Sequence, residues 1–197
     1  NPDANVRMLQ FEDIQCPICK TYTDEALPAI IEEYVRPGDV KLDFGGLAFL
    51  GPDSVKALRI SLAAGLQNKL WEVVGLFYEN QGAENSGWVT DELVDEILAE
   101  VPGLDAAKVK ADASSAAVDE QVAAAQAEAT RLEVPGTPTF FLGIGDEPGQ
   151  NGAEAQALGY LNVPPGVLVD LSRLKGRADH QIAIVATGSQ GEPSAAL

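Results

Sequence analysis

The stretch that decides the fold is FEDIQCPICK, residues 11–20, which places a Cys-x-x-Cys motif where a strand gives way to a helix. The short run Asn5–Phe11 carries apolar residues and predicts a strand that ends at the acidic pair following it. From Cys16 to about Arg36, apolar residues recur at intervals of three and four, which predicts an amphipathic helix that Pro28 kinks or splits. A second strand is predicted over Val40–Phe44. Together these elements form a strand-helix-strand unit whose two strands run parallel.

Between this unit and residue 133 the pattern favours helices throughout. We predict helices over Ser54–Ala64, Leu70–Glu79, Asp91–Glu100 and Asp105–Leu132, the last one broken in two. Because no strand-like run interrupts them, residues 53–133 are interpreted as an all-helical insertion subdomain.

The chain after the insertion returns to strand-like patterns. Thr139–Ile144 is rich in aromatic and β-favouring residues and predicts a strand. Weaker patterns indicate a strand over Ala155–Asn162, a closing helix over Val167–Lys175 and an edge strand over Gln181–Ala186. Residues 177–197 are interpreted as a tail that is ordered only in part.

The composition describes a protein with a sizeable core and a strongly acidic surface. The chain has 197 residues, 46% of them apolar, and a net charge of −17. This charge argues against binding to nucleic acid or to anionic membrane surfaces, since both require a cationic footprint. No run approaches the roughly 18 apolar residues of a membrane span. Because the sequence starts almost at its first strand, we expect a leader or anchor to precede Asn1 in the gene product.

The chemistry centres on Cys16 and Cys19, the chain's two cysteines. A thiol at a helix N-terminus meets unpaired N–H groups and the positive end of the helix dipole, which lower its pKa to roughly 3.5–7.5. We therefore predict that Cys16 attacks and that Cys19, one turn later and less exposed, resolves. A zinc site is an alternative, but it needs about four ligands, and only His180 adds to the pair. A structural disulfide is another, although so short a loop stabilises little.

A second feature is Thr137-Pro138, directly before the strand at Thr139–Ile144. Proline there indicates a strand start, and an X-Pro bond can be cis at tolerable cost. In isolation this pair would predict an ordinary turn.

The strand, the Cys-Pro-Ile-Cys motif, the helical insertion and the VPGTPTFF stretch at residues 134–141 together resemble the DsbA-like branch of the thioredoxin superfamily. The resemblance covers Ala4–Lys175 and implies a thioredoxin-like α/β fold with an all-helical insertion. By this likeness, residues 1–52 and 134–176 form the thioredoxin-like domain.

The resemblance also implies an activity, that of a protein-disulfide oxidoreductase, which needs no cofactor and no metal. Pro138 would be the cis-proline that shields the cysteines from metals. Thr137 would offer its backbone to an extended substrate strand, with Pro17 and Ile18 beside it in the substrate-binding surface.

The sequence departs from the family pattern at two places. Relatives often carry a buried carboxylate six residues before the first cysteine, where this chain has Gln10. Glu12, two residues on and on the same face of the strand, is the candidate proton relay. Pro17-Ile18 stands between the cysteines instead of the Pro-His of the strongest oxidants, which predicts a less oxidising potential.

The partners implied are unfolded or partly folded proteins with cysteines, and a membrane electron carrier or thioredoxin-like protein that resets the pair. We expect a monomer in an extracytoplasmic setting, the periplasm or cell envelope, because disulfides persist there. Two alternatives remain open. One is a cytosolic reductase or isomerase of similar fold, and the other is a chaperone-like client-binding module in which the cysteines are incidental.

Overall fold

The computed structural model describes residues 3–4, 6–144, 168–170 and 185–187, and side chains within residues 3–4 and 6–142. Its strands are β1 (Val6–Asp13), β2 (Val40–Leu47), β3 (Thr139–Ile144), β4 (Leu168–Asp170) and β5 (Val185–Thr187). Its helices are α1 (Pro17–Glu25), α2 (Leu27–Ile30), α3 (Pro52–Gly65), α4 (Leu70–Glu79), α5 (Asp91–Glu100), α6 (Ala106–Asp112) and α7 (Ala116–Arg131). A π-helical turn, Ile31–Val35, follows α2.

The strands form two sheets. In the first, β1 lies between β2 and β3, so the two strands of the predicted strand-helix-strand unit are neighbours. In the second, β4 and β5 pair antiparallel with Leu168 opposite Thr187.

The chain divides into two compact units, each with its own core. The first comprises residues 1–10, 21–44 and 138–197. The rings of Tyr22 and Phe140 lie 4.5 Å apart in this core, and the Tyr22 hydroxyl donates to Gln10 Oε1 at 2.9 Å. The remaining buried residues of the cluster are apolar or aromatic: Met8, Leu27, Ile30, Tyr34, Val40 and Leu142.

The second unit comprises residues 11–20 and 45–137 and contains α3 to α7. The helices bury large side chains against one another, among them Leu58, Phe77, Tyr78, Ile97 and Leu98. Three helices begin at a polar residue whose side chain accepts a backbone N–H of the first turn: Thr90 for α5, Asp105 for α6 and Ser115 for α7. The Ser115 cap starts α7 as a new helix after the end of α6, which confirms the predicted break.

The helix predicted from Cys16 to Arg36 is divided near Pro28, as expected. Pro28 falls in the first turn of α2, where its missing N–H leaves no helical bond unmade. The chain then widens into the π-helical turn, in which Arg36 N donates to Ile31 O at 2.8 Å.

Strands β1 and β2 are longer than the sequence predicts. The prediction that β1 ends before Glu12 is wrong, because Glu12 and Asp13 continue the strand and are buried. Strand β2 continues through Gly45, where a Cβ atom would lie 2.6 Å from the Phe11 ring. Glycine thus lets the backbone pass close to that ring.

The closing helix predicted over Val167–Lys175 is wrong, since Leu168–Asp170 form strand β4. Apolar and β-branched residues here gain a strand partner in β5, which outweighs their helical spacing. The last two residues of the edge strand predicted over Gln181–Ala186 lie in β5. The strand predicted over Ala155–Asn162 and most of the tail at 177–197 lie outside the described residues. In the described part of the chain, no helix combines the length and apolar character needed to cross a bilayer.

Candidate active site

Cys16 lies in the tight turn between β1 and α1. Its backbone N–H donates to Asp13 O at 2.9 Å, and its carbonyl accepts from Lys20 N at 3.1 Å. Pro17 is the first residue of α1, where a missing N–H costs no hydrogen bond. The turn therefore sets Cys16 at the N-terminus of the helix.

The Cys16 sulfur takes the place of a capping side chain on this helix. Cys19 N–H donates to Cys16 Sγ at 3.4 Å, and Sγ also lies 3.4 Å from the carbonyl oxygen of Thr137. Donation from the Cys19 side chain, from its backbone N–H and from the Thr137 side chain lowers the pKa of Cys16 to about 6, against the opposing effect of burial. At pH 7 a thiol with this pKa is about 90% thiolate, the nucleophilic form.

Cys19 is the opposite case. It has no exposed surface, whereas Cys16 retains 6%. Burial, followed by its donation to Cys16 and the nearby charge of Glu12, raises the pKa of Cys19 far above that of an ordinary thiol. Both cysteines are free. The pair therefore combines one ionised thiol and one protonated thiol at neutral pH.

Glu12 is a buried acid next to this pair. It is 1% exposed, and the hydroxyl of Tyr78 on α4 donates to its Oε2 at 2.7 Å. Burial raises the pKa of Glu12 to about 8, although the Tyr78 hydrogen bond lowers it. The pKa of Tyr78 is raised as well, by burial and then by the Glu12 charge. A carboxyl group with such a pKa can hold or release a proton near neutral pH.

Asp13 is a second buried acid, with no exposed surface. Its Oδ1 accepts from Gln15 N at 2.9 Å and from Ser54 Oγ at 2.6 Å. Its Oδ2 accepts from the backbone N–H groups of Phe49 and Leu50 at 3.0 and 3.2 Å. The carboxylate thus has four donors, which offset the cost of burial.

Side-chain amides form hydrogen bonds with the rest of the redox loop, the turn at residues 13–16. Gln15 donates to Ser54 Oγ at 2.9 Å and accepts from Asn85 N at 2.7 Å. The Gln81 side chain donates to the carbonyls of Ile14 and Cys16 at 2.6 and 3.2 Å. The backbone around Cys16 is therefore bonded on several sides by residues of the helical unit.

Comparisons with known proteins assign the chain to a family. The sequence model of the family described as Thioredoxin matches residues 1–155. The chain belongs to the thioredoxin family.

Both relatives in sequence and solved structures resemble this thioredoxin-family chain. The probable disulfide bond formation protein D of Bacillus cereus is 32% identical over 143 residues, or 71% of this chain, and the chain spans only 66% of that protein's length. The crystal structure of oxidised BdbD from Bacillus subtilis has a TM-score of 0.65 and 21% identity, and the match covers 80% of this chain and 88% of the BdbD chain. The crystal structure of Chlamydia trachomatis DsbA has a TM-score of 0.65 and 19% identity, and the match covers 73% of this chain and 78% of that protein. These structures confirm the predicted thioredoxin-like, DsbA-like fold.

The end of the chain matches a different family. Residues 145–197 match the sequence model described as Ribonuclease J, beta-CASP domain. Ribonuclease J of Corynebacterium glutamicum is 42% identical over 43 residues, which are 22% of this chain and 6% of that protein. The DsbA-like resemblance, expected to reach Lys175, is therefore carried by a thioredoxin-family match that ends at residue 155.

The remaining predicted site residues of this thioredoxin-family chain differ in exposure. Pro17 and Ile18 are exposed, with Ile18 37% accessible. Thr137 is half-buried with its carbonyl oxygen at the Cys16 sulfur. Pro138 is buried in the first unit, directly before β3. His180, the further ligand that a zinc site would need, lies outside the described residues.

Sequence reasoning missed the residues that surround the redox loop. Tyr78, Ser54 and Gln81 lie dozens of positions away from the motif, and nothing local marks them as its partners. The one sequence signal was the presence of polar residues, Asp13 and Gln15, where an apolar strand meets the redox motif; the structure buries both. Buried polar side chains require partners, so they indicate a network.

Proposed function

We propose that this thioredoxin-family protein is a protein-disulfide oxidoreductase that forms disulfides in client proteins by exchange with its Cys16–Cys19 pair. The observation that carries the proposal is the Cys16 sulfur at the N-terminus of α1, with a pKa of about 6, beside the buried Cys19 thiol. Relatives named disulfide bond formation protein support oxidation of clients as the direction of transfer.

The exchange proceeds in two steps in which electrons and protons balance. A client thiolate attacks Cys16 Sγ of the oxidised pair, which forms a client–Cys16 disulfide and releases Cys19 as a thiolate that takes up a proton. A second client thiolate then attacks the client sulfur of this bond. The client disulfide forms, Cys16 leaves as a thiolate, and the two client electrons remain on the Cys16–Cys19 dithiol.

Glu12 is the proposed proton relay for Cys19. A thiolate at a position with no exposure is unfavourable, so Cys19 needs a nearby proton donor when it leaves and an acceptor when it attacks. The charge of Glu12 raises the pKa of Cys19, so the protonation states of the two groups are coupled. The pKa of about 8 makes Glu12 able to act in both directions near neutral pH.

Client docking is proposed to use the surface around the Cys16 sulfur. The exposed Pro17 and Ile18 offer an apolar contact, and the backbone of Thr137 lies beside Cys16. An extended client segment that pairs with Thr137 would bring its cysteine to Sγ, with Pro138 shaping the same loop. Such strand addition depends on main-chain hydrogen bonds and so accepts many sequences.

The proposed setting is outside the reducing cytosol, because disulfides made there persist. The reduced pair must pass its two electrons to an acceptor, either a membrane electron carrier or another thioredoxin-like protein. The Pro-Ile pair between the cysteines supports a potential less oxidising than about −120 mV, the value for DsbA.

The test is oxidation of a reduced, unfolded protein by the oxidised chain, with Cys16→Ser and Cys19→Ser as matched variants. We expect both to lose turnover. When mixed with a disulfide-bonded client, only Cys19→Ser should accumulate a client–Cys16 mixed disulfide, because its Cys16 thiolate attacks the client disulfide, releases the other client sulfur as a thiolate, and has no Cys19 to resolve the bond. Unchanged client binding and protection by Cys16→Ser would favour the chaperone-like alternative. A potential near about −270 mV, that of thioredoxin, would favour the reductase.

A further inference from the structure

Asp13 forms hydrogen bonds both within the redox loop and with the segment that leads into helix α3. On one side its Oδ1 accepts from Gln15 N, two residues on, while its carbonyl accepts from Cys16 N. Such a turn, closed by a side chain and a carbonyl together, fixes the backbone direction at which the Cys16 side chain leaves the strand.

On the other side the same carboxylate binds the segment that starts α3. Ser54 in the first turn of α3 donates to Oδ1, and the backbone N–H groups of Phe49 and Leu50 donate to Oδ2. Because all three groups lie more than 30 residues away in sequence, the carboxylate joins two separate parts of the second unit. None of these contacts involves the Cys16 sulfur itself.

We propose that Asp13 is a positioning residue for disulfide exchange, whose carboxylate anchors the turn at residues 13–16 to α3 and so holds Cys16 Sγ at the N-terminus of α1. The inference rests on the proposed function, because positioning matters only if Cys16 is the reacting thiol. Cys19 N–H donates to Cys16 Sγ at 3.4 Å, and this bond depends on where the turn places the sulfur, so a shift of the turn weakens it.

Removing the Asp13 carboxylate should change the pKa of Cys16 in opposite directions, depending on whether the carboxylate acts through position or through charge. This difference makes the proposal testable. If Asp13 acted through its negative charge, its removal would favour the neighbouring thiolate and lower the pKa of Cys16. If it acts through position, its removal loosens the turn, weakens donation to Sγ and raises the pKa of Cys16. The sign of the change therefore separates the two mechanisms.

The experiment compares Asp13→Asn with Ser54→Ala and with the control Asp53→Asn. Asp53, in α3, is a buried carboxylate like Asp13, but its hydrogen bond comes from Gly87 N instead of from the redox loop. The pH dependence of thiolate absorbance gives the pKa of Cys16 in each reduced protein. Equilibration with glutathione gives the redox equilibrium constant.

We expect Asp13→Asn to raise the pKa of Cys16 by at least about half a unit, and to shift the glutathione equilibrium about threefold towards the oxidised protein. Ser54→Ala should act in the same direction by less, and it keeps the proposal testable if Asp13→Asn does not fold. Asp53→Asn should leave both values unchanged.

A lowered or unchanged pKa of Cys16 in folded Asp13→Asn and Ser54→Ala would overturn the proposal. So would a variant whose oxidised and reduced forms lose the same stability, because its redox equilibrium would then not change. Both measurements use the protein without a client. If the wild-type protein oxidised no client, the proposed function would be refuted. The titrations would still decide whether Asp13 positions Cys16.

Discussion

Replacing Glu12 by Gln should stabilise the protein in a strongly pH-dependent way. The carboxyl group is fully buried, and its pKa is raised from 4.5 to about 8. The folded protein therefore holds a proton that the unfolded chain releases above pH 4.5, so the stability fully present below pH 4.5 is lost as pH rises through about 8. The interval of about 2.5 units between pH 4.5 and 7 corresponds to about 3 kcal/mol, at 1.36 kcal/mol per unit.

Glutamine removes this cost because it is uncharged at every pH and keeps an oxygen that can accept from the Tyr78 hydroxyl. The assay is urea unfolding of oxidised wild-type and Glu12→Gln proteins at pH 4.5, 7 and 8.5. Using the oxidised form prevents titration of the thiols from contributing; it also removes the Cys16 charge, the smallest of the three effects on the pKa of Glu12, so the gain is an upper value. Glu79→Gln serves as the control, because Glu79 is exposed and lies next to Tyr78 on α4.

We expect Glu12→Gln to exceed wild type by less than about 0.5 kcal/mol at pH 4.5 and by up to about 3 kcal/mol at pH 7. The same variant should resolve mixed disulfides more slowly, because Cys19 loses its proton acceptor. A gain in stability that is the same at all three pH values, or a loss that grows with pH, would refute the reasoning about Glu12.

Four further substitutions, one of them a control, test the core, a helix cap and a glycine turn by urea unfolding. Phe140→Ala removes a ring that is 2% exposed and should cost about 3–5 kcal/mol, whereas Phe49→Ala, 56% exposed, should cost under about 1 kcal/mol; equal losses would contradict the core assignment. Thr90→Ala removes the N-cap of α5 and should cost about 1 kcal/mol, and no loss would mean that the cap is replaced by water. Gly51→Ala should cost at least about 2 kcal/mol, because φ is 146° and a Cβ would lie 1.8 Å from Asn85 Oδ1; a neutral result would rule out this conformation.

Elements with strong local signals were predictable from sequence. Helices α4 and α5 and strand β3 have the predicted bounds, since periodic apolar residues and flanking breakers mark them. The redox motif was predictable for the same reason, because Cys16 and Cys19 are separated by only one helical turn.

Features that depend on distant partners were not predictable. The sequence marks Glu12 as a candidate proton relay, but it gives no sign of Tyr78, 66 residues away, which makes the burial of Glu12 tolerable. Asp13 similarly depends on Ser54, 41 residues away. Strand β4 was predicted as a helix because its partner β5 lies beyond the window in which periodicity is judged.

The most direct test of the account is the pKa of Cys16 in the reduced protein, measured from the pH dependence of iodoacetamide alkylation with Cys16→Ser as the blank. We predict a single midpoint near pH 6 that disappears in Cys16→Ser, with Cys19 unreactive across the range. A midpoint near about 8.5, the value of an ordinary thiol, would contradict the claim that the end of α1 stabilises a thiolate at Cys16.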